Sequence, residues 1–242
     1  MLRYDGTPSS DTGRQLSRIT PDQRMESDAR ILALLSSHGV DRHFGRHEMI
    51  FQDGDRAFHF FRIVKGTVQL SKRRTNGRRQ IVRLLLPGDL FGFEIGERRR
   101  LAAESLDQVV ASLYPFGIIE EISDSSPDLH RALMRFLRRQ LFSMHEHAVM
   151  LGRETALERV AALLLLLSKR KNVEDGQTLT LPMRRRDFGD YLGLSTETVS
   201  RMLTKLKDAG LISVTRDHGK FVIYDVDSLI EVMLDAREYG IS

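Results

Sequence analysis

Four glycines, Gly54, Gly66, Gly77 and Gly88, fall eleven or twelve residues apart, and that spacing leaves this chain few folds to choose from. Between and around them lie short β-favouring runs: MIFQ, FHFFRIV, TVQLSK, IVRLLL, DLFGFE and VVASLY. A chain that reverses at such short intervals builds antiparallel strands, and many of them close into a sandwich or jelly roll. Asn76-Gly77 sits between two runs, and both residues tolerate the positive φ angles of a tight hairpin. The spacing predicts an antiparallel β-roll from about Glu48 to Tyr114.

The texture then changes. From Asp128 the residues Met134, Leu137, Leu141, Met144, Ala148, Leu151 and Thr155 recur in alternating steps of three and four. One reading is an amphipathic helix packed on its own domain. The strict alternation is narrower than a buried globular face needs, and it favours a parallel two-stranded seam with Met134, Leu137, Leu141, Met144, Ala148 and Leu151 at the interface. A second helical run, Ala156 to Lys169, is apolar on more than one side and reads as internal. The joint between the two helices is expected near Gly152 to Thr155.

The C-terminal part reads as helix, turn, helix and two strands. Arg185 to Leu192 carries Phe188, Tyr191 and Leu192 on one face, and Gly193 breaks it. Ser195 supplies an N-cap for a helix to about Ala209, with Gly210 at the left-handed C-terminal position. Strands follow at Leu211 to Thr215 and Lys220 to Tyr224, joined by Arg216-Asp217-His218-Gly219. This is the pattern of a winged helix-turn-helix, whose second helix lies in the DNA major groove.

On that helix Val199, Leu203 and Leu206 form the inward stripe. Thr196, Glu197, Ser200 and Arg201 point away from it, near the end that meets base edges. The Arg201 fork suits guanine O6 and N7, Glu197 can accept from a cytosine or adenine amino group, and Ser200 can approach a thymine methyl. The plainer reading makes Glu197 and Arg201, at i and i+4, a surface ion pair, which could also hold Arg201 in its reading rotamer. Arg184, Arg185 and Arg186 precede the first helix of the motif. With Ser195 and Thr198 they are candidates for phosphate contacts, which set register and salt dependence but read no sequence. A solvated basic surface is the competing reading of the arginine block.

Composition removes several function classes. Among 242 residues there is no cysteine, which excludes disulfides, thiolate zinc sites, cysteine-ligated iron–sulfur clusters and cysteine redox switching in this chain. No apolar run approaches the length of a membrane span, and the N-terminal residues have no signal-peptide core, so the chain is expected to be cytoplasmic with no membrane partner. The net charge is only +4, but it is concentrated in Arg98–Arg100 and Arg184–Arg186.

The segment Arg185-Arg186-Asp187-Phe188-Gly189-Asp190-Tyr191-Leu192-Gly193-Leu194-Ser195-Thr196-Glu197-Thr198-Val199-Ser200-Arg201, with Pro87-Gly88-Asp89-Leu90-Phe91-Gly92 in the roll and the long helix, resembles the Crp–Fnr superfamily of transcription regulators. Leu151-Gly152-Arg153, Thr155-Ala156, Glu158-Arg159-Val160-Ala161 and the Glu197-x-x-Ser200-Arg201 pattern are most similar to its Fnr/FixK branch. The resemblance covers the chain from about residue 28 to the end. It implies a homodimer on double-stranded DNA, one reading helix per TTGA half-site of an inverted repeat, and control of low-oxygen or nitrogen-oxide respiration genes. It also implies RNA polymerase as a partner, with exposed loops such as Asn172 to Thr178 as candidates for the contact.

The departures from the family are informative. Its nucleotide binders carry Gly-Glu after the Gly-Asp turn and an Arg-Ser/Thr-Ala stretch for the cyclic phosphate. Here the matching positions read Gly92-Phe93, with Glu94 displaced by one, and Arg100-Leu101-Ala102. Phe and Leu supply no donor to a buried phosphate. The expectation is therefore no cAMP, no iron–sulfur cluster and no haem, with Arg98–Arg100 as solvated surface. Among the histidines, His43 and His47 could share a helical face, whereas His145 and His147 could not. An effector-gated regulator of the same fold, holding nucleotide or haem, is the alternative. A cupin-like β-roll enzyme would need inward histidines and a carboxylate, and only His59 lies within the strands read here. The whole is an α+β chain: an N-terminal arm at 1–27, a roll at 28–127 opened by a short helix at Asp28 to His38, a dimerisation helix at 128–153, and a winged helix-turn-helix at 154–242. No catalytic or metal residues are expected.

Overall fold

A computed structural model describes residues 38–93, 96–125, 127–214 and 219–234. The arm, nearly all of the Asp28 to His38 helix and the wing tip Arg216–His218 lie outside the described residues. The chain divides into two compact units, and the smaller one contains His38 and Gly117–Arg138. It holds helix α1 (Gly117–Ser125) and the first half of α2 (Pro127–Leu151). The periodicity reading starts at Asp128 and does not anticipate α1.

The larger unit spans Gly39–Phe116 and Arg139–Ser242. Its first half is the expected antiparallel roll. Strands β1 (Val40–Phe44), β3 (His59–Lys65), β6 (Leu90–Phe91) and β8 (Val109–Pro115) form a sheet in the order β1-β8-β3-β6. Strands β2 (Met49–Phe51), β4 (Val68–Arg73), β5 (Arg79–Leu85) and β7 (Ala102–Ser105) form the other, in the order β2-β7-β4-β5. All four spaced glycines adopt positive φ, between 78° and 94°. Gly66 is the most constrained of them, because a Cβ there would stand 2.4 Å from the Gln108 carbonyl oxygen. Phe51, Phe61, Ile63, Leu85, Phe91 and Val109 fill the space between the sheets.

The arginine block at the end of the roll corrects one expectation. Arg98 and Arg100 are exposed, but Arg99 turns inward and is 4% exposed. Its guanidinium lies 4.3 Å from the Phe51 ring centroid and donates to the Gly92 and His59 carbonyls. Aromatic faces and carbonyl acceptors together offset the cost of burying the cation. The histidine reading is also corrected. His43 lies on β1 and His47 in a turn at φ 62°, so they share no helix.

Helix α2 ends at Leu151 and α3 (Ala156–Arg170) begins behind Thr155, whose hydroxyl accepts from the Glu158 N–H. Thr155 is therefore a cap, and the heptad stripe stops at Leu151. Three strands, β9 (Thr178–Thr180), β10 (Ile212–Val214) and β11 (Lys220–Ile223), form the wing sheet in the order β10-β11-β9. Helices α4 (Arg185–Leu192) and α5 (Thr196–Asp208) make the helix-turn-helix, and α6 (Val226–Leu234) closes the core. Leu163, Leu164, Phe188, Val199, Leu203, Phe221 and Leu229 are buried in a core that also takes in Ile81, Leu84 and Leu106 from the roll. No helix among the described residues is long and apolar enough to cross a membrane.

His147 on α2 is part of this packing. Its ring stacks on Tyr191 with centroids 4.0 Å apart, and its two nitrogens lie 3.0 Å from the Val82 carbonyl and 3.1 Å from the Tyr191 carbonyl. Burial pulls its pKa below the usual histidine value, against the opposing effect of the two carbonyls. A histidine held neutral in the fold stabilises fully above its unfolded pKa of about 6.5, and that stability is lost as pH falls through the lower folded value. The thermal midpoint is expected to fall between pH 7.5 and 5.5, and His147→Gln should flatten the fall. An unchanged pH profile in the variant would contradict this account.

Candidate nucleic-acid interface

The helix-turn-helix is fixed by backbone geometry. The Arg184 N–H donates to the Asp187 carboxylate at 2.8 Å and so opens α4. Gly193 ends it at φ 70°, in the left-handed region that favours glycine. The Leu194 N–H then donates to the Gly189 carbonyl at 3.0 Å. That approach is so close that a Cβ on Gly189 would lie 2.6 Å from the Leu194 carbonyl oxygen. Ser195 caps α5, accepting from the Thr198 N–H at 3.1 Å.

Val199, Leu203 and Leu206 are buried, and this sets which face α5 presents. Thr196, Glu197, Ser200 and Arg201 are all exposed on the opposite side. Ser200 donates its hydroxyl back to the Thr196 carbonyl at 2.9 Å, which leaves the oxygen as an acceptor toward solvent. The Glu197 carboxyl is held below the usual carboxylate range by its own backbone N–H, then by the Ser195 hydroxyl and the nearby Arg201. The Glu197–Arg201 ion pair of the plainer reading does not form. Glu197 folds toward the helix start, and the nearest polar contact of Arg201 is the Thr198 hydroxyl at 3.5 Å. Arg201 thus stays free to extend.

The phosphate candidates separate. Ser195 and Thr198 place their hydroxyls 3.0 Å from each other at the cap. Arg184 reaches His47 of the roll at 3.0 Å. Arg185 is half-buried over the Phe221 ring, 5.5 Å from its centroid, and burial lowers its pKa. The Arg186 side chain is 75% exposed, with Asp190 3.9 Å away. Successive helical residues point about 100° apart, so one block of arginines serves three different surroundings.

A feature not anticipated from the sequence joins the roll to this motif. Arg79 on β5 forms ion pairs with Asp187 and, at 2.8 Å, with Asp190, while Glu104 stands 3.6 Å away. Burial works against its charge, but the Asp190 and Asp187 hydrogen bonds more than compensate, and its pKa is raised. Gln80 adds a 2.9 Å bond to the Asp190 carbonyl. The available signal was the cluster Arg73, Arg74, Arg78 and Arg79 around the Asn76-Gly77 turn. Among the described residues no group of three or more His, Asp or Glu side chains is placed to hold a metal ion.

Known proteins are similar to this chain in sequence and fold. Residues 158–232 match the Crp-like helix-turn-helix domain, and residues 41–123 match the cyclic nucleotide-binding domain. The nitrogen fixation regulation protein FixK of Azorhizobium caulinodans is 38% identical over 192 residues, covering 78% of this chain and 77% of that protein. The chain belongs to the Crp–Fnr family. It is a FixK-like member, a DNA-binding transcription regulator rather than an enzyme. The anaerobic regulatory protein of Pasteurella multocida is 32% identical over 192 residues, covering 77% of this chain and 69% of that protein. The solved structure of FixK2 from Bradyrhizobium japonicum superposes with a TM-score of 0.71 at 34% identity, over 80% of this chain and 96% of that one.

Proposed function

We propose that this Crp–Fnr regulator acts as a homodimer that reads a TTGA-type inverted repeat, recruits RNA polymerase and controls low-oxygen or nitrogen-oxide respiration genes. The observation that carries the reading is the exposed set Thr196, Glu197, Ser200 and Arg201 on a helix whose other face is buried. An exposed arginine, a carboxylate held charged and a hydroxyl acceptor supply the polar groups that base edges require. A second copy is favoured by the stripe of α2, where Met134, Leu137, Leu141 and Met144 are all exposed in the single chain. The physiological assignment draws on relatives named as anaerobic and nitrogen fixation regulators.

We propose further that the regulator works without a bound nucleotide. A cyclic phosphate needs buried donors, and the residues here do not fit that need. Phe93 is exposed and stacks on Phe60, Leu101 is half-buried, and the Arg99 guanidinium is committed to carbonyls of the roll.

The purified protein is expected to shift a duplex bearing TTGA–N6–TCAA without added cAMP. Equal binding to a scrambled duplex would overturn the reading. Arg201→Ala should cost about 1–3 kcal/mol and relax discrimination at one base pair of each half-site. A uniform loss across all sequences would instead make Arg201 a backbone anchor.

A further inference from the structure

A cleft of about 570 Å³ lies between the β4–β5 hairpin and the start of α5. Arg74, Arg78, Arg79 and Arg186 line it, and so do Ser195 and Glu197 of the reading helix. The charges are not equivalent. Arg79 is committed to Asp187 and Asp190, and Arg186 shares Asp190. Arg74 and Arg78 are exposed, and neither forms an ion pair among the described residues. Two carboxylates, Asp190 and Glu197, also line the cleft, but Asp190 is taken up by Arg79 and Arg186, and neither carboxylate is within ion-pair distance of Arg74 or Arg78.

The hairpin is held in place at both ends. Its turn is closed by the Arg74 N–H on the Arg78 carbonyl at 2.8 Å and the Gly77 N–H on the Arg74 carbonyl at 2.9 Å. Its base is tied to α4 through Arg79 and Gln80. We infer that this hairpin is a second DNA-contacting element, with Arg74 and Arg78 binding the phosphodiester backbone that borders the bases read by α5. The inference rests on the DNA-reading role proposed above. A helix that enters the major groove by its N-terminus is flanked by two phosphate strands about 12 Å apart. Side chains that share a cleft with Ser195 and Glu197 face one of those strands. Guanidinium groups match phosphate oxygens in pairs and ignore the base sequence.

The test is the salt dependence of binding to the TTGA–N6–TCAA duplex and to a scrambled duplex. Each phosphate neutralised contributes about 0.9 to the slope of log affinity against log salt. With Arg74→Ala/Arg78→Ala the slope is expected to shrink by about 2 to 4 for a dimer, and affinity to fall on the order of 100-fold for both duplexes. Arg74→Lys/Arg78→Lys should retain most of the slope, since charge is preserved. Arg42→Ala/Lys65→Ala, which removes equal charge elsewhere on the roll, should change it far less. An unchanged slope in the double alanine variant overturns the inference. Unchanged DNA binding with lost transcription in a purified system also overturns it, and assigns the hairpin to a protein partner. Tighter binding would make the hairpin an obstruction and overturn it too. Failure of the unaltered protein to prefer the inverted repeat is a separate result, and it rejects the DNA-reading role itself.

Discussion

Leu141→Glu is expected to abolish the proposed dimer at micromolar concentration and to weaken binding to the proposed inverted repeat by about 100- to 10,000-fold. Leu141 sits mid-way along the α2 stripe and is 54% exposed in the single chain. Paired across a parallel seam, two such leucines would exclude water, and two carboxylates in their place would repel without a partner. The large effect on DNA arises because linkage makes the second half-site an intramolecular target. Affinity for an isolated half-site should be little changed. Sedimentation velocity decides the first part and a fluorescence titration the second. A variant that remains dimeric would move the interface off this stripe.

Gly189→Ala is the second large effect. Alanine normally favours a helix over glycine by about 1 kcal/mol. Here the added methyl meets the Leu194 carbonyl oxygen at 2.6 Å, in a turn that cannot shift without moving Ser195 and the whole of α5. Overpacking of this kind costs about 1–3 kcal/mol. The expected outcome is a lowered thermal midpoint together with at least a tenfold loss of specific DNA binding. Non-specific binding should fall less, because the proposed phosphate contacts do not all lie on α5. A more stable, fully active variant would show that the turn is looser than its geometry indicates.

These effects come from features of unequal legibility in the sequence. The roll could be read because its turns are marked by glycine and its inner strands by alternating large apolar residues. Strands β1 and β7 escaped that reading. β1 is VDRHF, exposed along most of its length on a sheet edge, and β7 is AAES, whose small side chains give no apolar signal. The helix-turn-helix was legible almost residue by residue, because Gly193, Ser195 and the Val199, Leu203, Leu206 stripe each have a local physical cause. Charge was the least legible property. Arg99 looked like its neighbours and is buried on Phe51, while Arg184, Arg185 and Arg186 found three different surroundings. Arg79 shows why. Its partners Asp187 and Asp190 are more than a hundred residues away, so only the tertiary fold brings them together.

The roll meets the helix-turn-helix through Arg79 and Gln80, and His147 bridges the two from α2. A roll fixed to the motif in this way can hold the reading helix at a constant angle with no ligand bound. If the regulator works without a bound nucleotide, as proposed above, control is expected to lie in how much of the protein is made.

The most direct test of two linked reading helices is to vary the spacer between half-sites. TTGA–N6–TCAA places the half-site centres about ten base pairs apart, one helical turn, so both major grooves face the same side of the duplex. Adding five base pairs turns one half-site to the opposite side while leaving every base contact available. The account predicts that affinity, measured by fluorescence anisotropy at fixed salt, falls at least 100-fold to the level of a single half-site. Equal affinity for the two spacers would contradict it.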